Sequence, residues 1–505
     1  MANWYVSSVA YAAISAWAAT TAYTVGQIIR PTAAALGKRF AYRCTTGGTT
    51  AGTEPTWSLN AASTTTSGGA VFTLVNGDAY GWSAAMGDQD CANNHYGTGF
   101  AAVGDTIFLS SDHTETVTST TLFHGFSGSW GSATTFILSV NRAGSVPPVA
   151  GDMTAGANIS GSMLTIDPAM PLYLNGVTLQ ASGSAGIIFG ASSNMMMGLK
   201  NCSLQLISVS SSSKITTQSG SPSKVILDNT TVSFAYAGQG FSGGASGGTF
   251  DLTWVNTPSA VLGTMPTNLF SETGPFNAVL RGVDISGVTG TLLYGPGLNA
   301  CKVLLDSCKI ASALTLLGGA QTSPFDIVEL VNCWDGTNAR NERAQTAGAV
   351  VTERTITLTG GAADDVGAFS LKMVSGATKI DKRIEPLSSF WFDVENTLTG
   401  SSKTATVEIV SSASLYNDEV WLQLEYMGTA GSQLSSFGDS QPATPLTTHA
   451  AVTSSSAPWN SSPATPVYQH LQVAFTPQRA GRVRGRVMLG KASATVYVDP
   501  NIVIT

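Results

Sequence analysis

The chain has 505 residues, of which only 11% are charged, and its 24 Lys and Arg against 31 Asp and Glu give a net charge of −7. This length is too great for a single hydrophobic core, so several domains are expected. The acidic balance and the lack of a basic run argue against nucleic acid as a partner. Abundant Gly, Ser and Thr favour an all-β chain of short strands joined by tight turns.

The N-terminal arm, residues 1–16, has no basic region ahead of an apolar stretch, and the Ala-rich segment Val9–Ala22 is interrupted by Ser, Thr and aromatic residues. We therefore expect neither a signal peptide nor membrane insertion. The cysteines lack the paired spacing of a zinc site. The chain is expected to have free thiols, no metal and no cofactor, and to be made in a reducing cytoplasm.

A small β module is predicted over residues 17–85 from a series of aromatic motifs. These motifs are Trp17, Tyr23-x-x-Gly26-x-x-Ile29, Phe40-x-Tyr42-x-Cys44 and Pro55-x-Trp57. Their order resembles that of the small modules appended to chitinases and cellulases, versions of which occur in phage tail and virion proteins. Thr45–Gly48 stands where the chitin-binding relatives usually carry a histidine.

The resemblance implies a carbohydrate-binding role for four aromatic residues, whose faces would stack on sugar rings: Trp17, Tyr23, Tyr42 and Trp57. A module this small also needs aromatic side chains to build its core. Both interpretations of these rings are open from the sequence.

Residues 86–344 contain a repeat. Seven segments with alternating apolar residues end 25 to 28 positions apart: Pro171–Asn175, Met197–Asn201, Val225–Asn229, Phe250–Trp254, Ala278–Gly282, Val303–Ser307 and Val328–Asn332. Leu stands two positions before the end of each segment, except at Tyr173. Alternation among Ser, Thr and Gly is typical of strands and not of paired helices. We predict one coil of a right-handed parallel β-helix per repeat.

The last residue of each segment is interpreted as the corner of a coil. Asn tolerates left-handed backbone and can stack its amide on the coils above and below. The predicted structural corner ladder comprises Asn175, Asn201, Asn229 and Asn332. The next position predicts a column of small, buried and inert side chains: Cys202, Thr230, Val255, Val283, Cys308 and Cys333.

Residues 345–505 lose the repeat and show ordinary alternating strands. Their number and polar turns predict a jelly-roll-like β-sandwich. The closing segment Thr495–Asn501 is similar to the last strand of C-terminal sandwich domains in phage virion proteins. The predicted architecture is therefore a parallel β-helix between a small N-terminal β module and a C-terminal sandwich.

Polysaccharide-cleaving enzymes also use β-helices, and they need two facing carboxylates. Asp228 and Asp251 fall on neighbouring predicted coils, two residues apart along the strand, and Asp306 is a further candidate. The sequence shows no spacing typical of a metal site or of a nucleophile motif. We therefore predict a chain without a catalytic site, and these three carboxylates are the candidates if it is an enzyme.

The resemblances imply a bacteriophage virion protein, either a tail spike or fibre or a capsid decoration protein. Its expected partners are further copies of itself, as a homotrimer by analogy, other virion proteins and bacterial surface polysaccharide. Its expected location is the virion, and its expected role is particle assembly and host attachment. Two alternatives are a tailspike depolymerase that cleaves host surface glycan and a secreted carbohydrate-binding adhesin.

Overall fold

The computed structural model describes residues 2–33, 39–60, 63–75, 81–88, 104–117, 121–122, 134–167, 171–190, 195–217, 223–243, 249–271, 274–295, 301–319, 327–345, 349–354, 370–374, 390–394, 402–411, 420–428, 435–436, 469–475, 481–489, 493–498 and 503–505. They form two compact units. Unit 1 comprises Met1–Tyr294 and Cys308–Thr315, and unit 2 comprises Gly295–Ser307 and Leu316–Thr505. The predicted all-β class with a parallel β-helix is confirmed.

Unit 1 begins with the following elements: β1 (Asn3–Val6), α1 (Ser8–Ala13), β2 (Ala22–Tyr23), β3 (Ile28–Ile29), β4 (Tyr42–Thr46), β5 (Gly48–Thr49), β6 (Thr64–Ser67) and β7 (Ala70–Leu74). Strands β3, β4, β7 and β6 form an antiparallel sheet, and β2 pairs with β5. Part of the predicted N-terminal arm is strand β1, which pairs in parallel with β8 (Thr106–Ser110).

The β-helix of unit 1 continues from β8 with these strands: β9 (Thr114–Thr116), β10 (Thr121–Leu122), β11 (Thr135–Val140), β12 (Ala157–Ile166), β13 (Leu172–Asn175), β14 (Val177–Phe189), β15 (Met195–Lys200), β16 (Ser203–Leu206), β17 (Lys214–Thr217), β18 (Ser223–Asp228), β19 (Thr231–Phe234), β20 (Phe241–Ser242), β21 (Phe250–Val255), β22 (Val261–Gly263), β23 (Asn268–Ser271), β24 (Phe276–Arg281) and β25 (Thr291–Tyr294).

Each complete coil contributes three short strands, and these strands build three faces. The first face stacks β8, β11, β13, β15, β18, β21 and β24 in parallel. The second face stacks β16, β19 and β22 on the first half of β14, and the third face stacks β17, β20, β23 and β25 on its second half. At about 4.8 Å per coil, the first face extends for roughly 29 Å from β8 to β24.

Alternation along each strand fills the interior with apolar columns. On the first face, one buried column aligns Leu174, Leu199, Leu227, Trp254 and Leu280. Aromatic rings fill the space between the faces. Phe250 lies 5.2 Å from Phe276, and Phe270 lies 5.0 Å from Phe276, measured between ring centroids. The coils are therefore held together by an apolar core.

In unit 1, a left-handed corner follows each first-face strand from β13 to β24. These corner residues have φ between 47° and 73°, and they are Gly176, Asn201, Asn229, Asn256 and Gly282. In unit 2, Ser307 and Asn332 have φ of 53° and 51°. The backbone N–H of a corner donates to the next coil, for example from Asn229 to the Val255 carbonyl at 3.0 Å. Because the corner N–H groups are satisfied in this way, stacking continues through the turn.

The corner lies elsewhere than predicted in two coils. Asn175 is the register partner of Lys200, and Gly176 is the corner there, one position later than the sequence interpretation. Trp254 aligns with Leu227 and is fully buried, so that corner is Asn256, two positions later. For the Trp254 coil the physical reason is alternation. A large apolar ring is buried in the interior, and a shift of two residues keeps the same side of the strand inward.

The amide ladder at the corners runs through neighbouring coils. Asn201 donates from Nδ2 to Oδ1 of Asn175 at 3.1 Å, and Asn229 donates to Oδ1 of Asn201 at 2.7 Å. Asn256 donates to the Asp228 carboxylate at 3.1 Å. Asn175 therefore belongs to the hydrogen-bonded ladder, although it does not have the left-handed backbone.

The position after the corner holds buried side chains, with Thr257 in place of the predicted Val255. Cys202, Cys308 and Cys333 are buried and free. Burial raises the pKa of the Cys202 thiol to about 12, so this thiol stays protonated at neutral pH.

Unit 2 contains these strands: β26 (Cys301–Asp306), β27 (Thr315–Gly318, whose first residue belongs to unit 1), β28 (Ile327–Trp334), β29 (Ala339–Gln345), β30 (Ala349–Arg354), β31 (Ser370–Val374), β32 (Phe390–Val394), β33 (Lys403–Ser411), β34 (Val420–Gly428), β35 (Ser435–Ser436), β36 (Gln469–Phe475), β37 (Gly481–Leu489), β38 (Thr495–Val498) and β39 (Val503–Ile504).

Within unit 2, β26 and β28 pair in parallel, and antiparallel pairing begins with β29. One antiparallel sheet continues through β30, β31, β38, β33 and β36, and a second sheet has the order β32, β37, β34, β35. The change from parallel to antiparallel pairing lies close to the sequence boundary at residue 345. The jelly-roll topology stays a prediction.

Replacing the corner residue Asn229 with Ala should cost more stability than replacing Asn277. Each variant loses one amide hydrogen bond between coils, of 2.7 Å to Asn201 and 2.8 Å to Asp251 respectively. Only position 229 has positive φ, so Asn229→Ala should lose about 1–2 kcal/mol more. Asn229→Gly should recover part of that loss. Thermal unfolding followed by circular dichroism measures the difference, and equal losses at the two positions would contradict the left-handed corner.

Candidate functional site

The four aromatic candidates for sugar stacking lie in the core of the N-terminal module. Tyr42 is fully buried, and Trp17, Tyr23 and Trp57 are 7–8% exposed. The Tyr42 and Trp57 ring centroids are 4.4 Å apart, and Trp57 also packs edge-on against Phe72. Rings buried to this extent offer little open face to a sugar, so the burial favours the core interpretation.

The polar edges of these aromatic residues are also used internally. The Tyr42 hydroxyl donates to the Ser58 carbonyl at 2.7 Å, and the Trp57 indole donates to Oε1 of Glu54 at 2.9 Å. The Tyr42 bond fixes the segment between β5 and β6 against the sheet, and the Trp57 bond lies within that segment. The carbohydrate-binding role of the module stays a prediction that this geometry does not support.

The structure separates Asp228 from Asp251. Asp251 is the register partner of Lys224, which lies four residues before Asp228 on the same strand. Four residues correspond to about 13 Å along a strand, well beyond the roughly 5–9.5 Å between the paired carboxylates of glycosidases. Asp228 pairs with Lys200 at 3.2 Å, and Asp251 accepts a hydrogen bond from Asn277. These two carboxylates therefore do not form a catalytic pair.

Asp306, in unit 2, lies at the end of β26 beside the corner. Its carboxylate accepts a hydrogen bond from the Ser307 hydroxyl at 2.9 Å. Like Asp228, it occupies the last outward position before a corner. Asp306 is therefore an outward side chain at the end of its strand, beside the corner of its own coil.

The outer side of the first face carries a central apolar column between two polar edges. The central column, in register, comprises Phe136, Tyr173, Gly198, Ile226, Thr253 and Val279. These residues are half-buried in the single chain. Tyr173 packs edge-on against Phe136 at 5.8 Å. A Cβ on Gly198 would lie 3.2 Å from the Tyr173 ring, so the glycine lets this ring lie flat.

The two edges of this surface carry charges. The leading edge comprises Met196, Lys224, Asp251 and Asn277, and the trailing edge comprises Lys200, Asp228, Val255 and Arg281. The surface is therefore a mostly apolar strip whose edges carry Lys200, Lys224, Asp228, Asp251 and Arg281.

The outer side of the second face is polar and uncharged over five strands. Its two columns are Thr114, Asn158, Thr178, Ser203 and Thr231, and Thr116, Ser160, Gln180, Gln205 and Ser233. Neighbouring side chains bond across coils, as in the Gln180–Gln205 amide pair at 2.9 Å. This surface presents hydroxyl and amide groups at regular spacing, without an ionised side chain in either column.

A buried ionisable cluster lies where the N-terminal segment meets the first coil. His113 Nδ1 accepts the Ser8 backbone N–H at 3.0 Å, which leaves the proton on Nε2, and Nε2 lies 3.0 Å from the Glu115 carboxylate. Both side chains are almost fully buried. Local sequence patterns do not indicate this pair, because its partner Ser8 on α1 lies 105 positions away.

Asp88 belongs to the same cluster. Its carboxylate pairs with the Arg39 guanidinium at 2.9 Å and accepts the Arg39 backbone N–H. Burial raises the pKa of Asp88 to about 6, and the nearby Glu115 carboxylate adds to this effect, whereas Arg39 and His113 act in the opposite direction. The carboxylate therefore has a pKa of about 6 where the N-terminal segment meets the first coil.

Within the described ranges, no group of three or more His, Cys, Asp and Glu side chains is arranged to hold a metal ion. No helix placed by the structure is long and apolar enough to cross a membrane.

Among solved structures, the chain is similar to a phage tailspike domain. The enzymatically active domain of tailspike protein 4 from bacteriophage CBA120 aligns with 99% of this chain and 77% of its own, with a TM-score of 0.26 and 12% identity. No protein-family model matches the sequence, and no curated protein matches it. The interpretation of the site therefore rests on the residues described above.

Trp57→Ala should destabilise the N-terminal module by about 3–5 kcal/mol, because it removes a large ring from a packed core. Tyr42→Phe keeps the ring and removes only the hydrogen bond to Ser58, so it should cost about 1 kcal/mol. Urea unfolding followed by tryptophan fluorescence compares the two variants. A Trp57→Ala protein as stable as the wild type would contradict the core assignment.

Asp88→Asn should stabilise the protein at pH 7.5. The pKa of Asp88 is higher in the folded chain than its ordinary value of 3.8, so the folded state binds this proton more tightly. The contribution of Asp88 to the free energy of unfolding therefore falls as pH rises from about 4 to 6. Above pH 6 the ionised carboxylate destabilises the folded chain by on the order of 1–3 kcal/mol.

The expected gain in melting temperature for Asp88→Asn is largest at pH 7.5 and shrinks towards pH 4. Thermal unfolding of both proteins across this range measures it. A variant that is less stable than the wild type at pH 7.5, or a difference that does not change with pH, would contradict the assignment.

Proposed function

We propose that this chain is a structural protein of a bacteriophage virion, and that several copies build a tail spike, a tail fibre or a capsid appendage. The observation that carries the proposal is the stacked β-helix, in which inward apolar columns and hydrogen-bonded corners make a stiff element. A solenoid of this kind is suited to spacing two other modules and to side-by-side association.

The resemblance of the flanking segments supports the viral part of the proposal. The aromatic order from Trp17 to Trp57 and the closing segment Thr495–Asn501 resemble segments of phage virion proteins. In this proposal the β-helix is the spacer, and the flanking modules dock on the particle or complete the assembly. A homotrimer is the expected stoichiometry by analogy with such appendages.

Host attachment is the second part of the proposal, and the second face supplies chemistry that suits it. Its hydroxyl and amide columns can donate to and accept from the hydroxyl groups of a neutral bacterial polysaccharide. The core position of the module aromatics makes this face the better candidate. The separation of Asp228 from Asp251 favours binding over cleavage.

The proposal predicts that the protein is part of mature particles. Peptides of this chain should be found by mass spectrometry in gradient-purified phage, at a fixed ratio to the major capsid protein, and antibody-gold labelling should place it on the surface. In a separate assay, purified protein should slow adsorption of the phage to its host. Its absence from washed particles would overturn the virion assignment, whereas presence without any effect on adsorption would overturn only the attachment role.

A further inference from the structure

We propose that the junction between the N-terminal module and the first coil of the β-helix is a pH-controlled latch. It holds the module in place in mild acid and loosens as the solution becomes neutral. The latch lies within unit 1, and it would operate whatever particle the chain belongs to. It is built from four ionisable side chains that come from three segments of the chain: Arg39, Asp88, His113 and Glu115.

A short segment that ends at Asp88 connects the module to the first coil. Arg39, which precedes β4 of the module, accepts the Gly87 N–H at its carbonyl at 2.8 Å and donates its own N–H to the Asp88 carboxylate. Met86 exchanges two backbone hydrogen bonds of 2.8 Å with the segment Tyr5–Ser7. Strand β1 of that segment pairs with β8 of the first coil. The segment therefore lies in series between the module and the coil.

The first coil contributes the other two members of the cluster. His113 precedes β9 and accepts the Ser8 N–H at Nδ1, and the Thr114 N–H donates to the Ser8 hydroxyl at 3.0 Å. The Ser8 bond requires the neutral form of this imidazole. Two carboxylates, those of Asp88 and Glu115, are then accompanied by one guanidinium. The four side chains carry one net negative charge when both carboxylates are ionised.

Asp88 is the group that responds to pH, because its surroundings disfavour its charged form. Its side chain is 13% exposed, whereas the Arg39 side chain is 36% exposed, so water screens the cation that compensates it. Burial raises the pKa of Asp88 to about 6, and repulsion by Glu115 adds to this effect. A proton on Asp88 removes the net charge of the cluster. Acid therefore favours the docked module, and loss of that proton favours opening.

The other ionisable groups at the junction lie on the elements that pack around the cluster. The Tyr11 ring on α1 lies against Gly87, since a Cβ on Gly87 would be 2.9 Å from it. The Arg30 guanidinium lies over the Tyr11 ring at 5.8 Å from its centroid. Asp105 precedes β8 and accepts a hydrogen bond from the Trp4 indole on β1 at 3.1 Å. Asp105 thereby ties β1 to the coil when the segment around Gly87 loosens.

Hydrogen–deuterium exchange of the full chain at pH 5 and pH 8, corrected for the intrinsic exchange rate at each pH, tests the latch. A pKa that moves from 3.8 in the open state to about 6 in the docked state makes the opening equilibrium about tenfold larger at pH 8 than at pH 5. Peptides that cover residues 3–8 and 81–88 should show this rise. Peptides that cover β18 and β21 should not, because these strands lie several coils away.

Three variants separate the latch from other causes. Asp88→Asn should abolish the pH dependence, because the amide keeps an oxygen for the Arg39 N–H and carries no charge. Asp112→Asn is the matched control and should keep the rise, since this exposed carboxylate pairs with Arg142 at 2.8 Å. Gly87→Ala should raise exchange at both pH values, because its Cβ would lie 2.5 Å from the Arg39 Cβ. The last variant shows that these peptides report an open junction.

A rise in the wild type and in Asp112→Asn that is absent in Asp88→Asn would support the latch. A wild-type junction with equal protection at both pH values, or a pH dependence that survives in Asp88→Asn, would overturn it. An equal rise in the peptides of β18 and β21 would also overturn it, because the chain would then unfold as a whole.

Discussion

The structure depends on one constraint. In each coil the chain must leave the first face at an equivalent position of the repeat. Left-handed corners meet this constraint, with Gly, Asn or Ser at positive φ and a backbone N–H that donates to the next coil. Because the corners are in register, the side chains before them are in register too. The Leu column, the ring stack and the outward columns all follow from that alignment.

Much of this architecture was predictable from the sequence, because alternation and a 25- to 28-residue period leave a clear trace. The errors occurred where the trace is ambiguous. At Gly176 the corner is not Asn, so the pattern predicts the neighbouring Asn175 in its place. At Trp254 the pattern predicts a corner, whereas the ring is buried inside, since a shift of two residues preserves the alternation.

The functional surfaces were harder to predict than the fold. The carboxylate candidates were separated by the correct register, and the module aromatics proved to be core. The cluster of Asp88, His113 and Glu115 is formed by segments far apart in sequence, so local patterns could not indicate it. Outward columns become visible only when the strands are aligned, since one strand shows no more than a single residue of each column.

The combined account is a β-helix whose corners and inward columns are in register and whose second face is an uncharged polar surface. The most direct measurement is an electron cryomicroscopy structure of the purified protein. The account predicts that β13, β15, β18, β21 and β24 stack in parallel, with Trp254 inside the coil and Asn256 at its corner. A chain path in which these strands do not stack in parallel, or in which Trp254 lies on the surface, would contradict it.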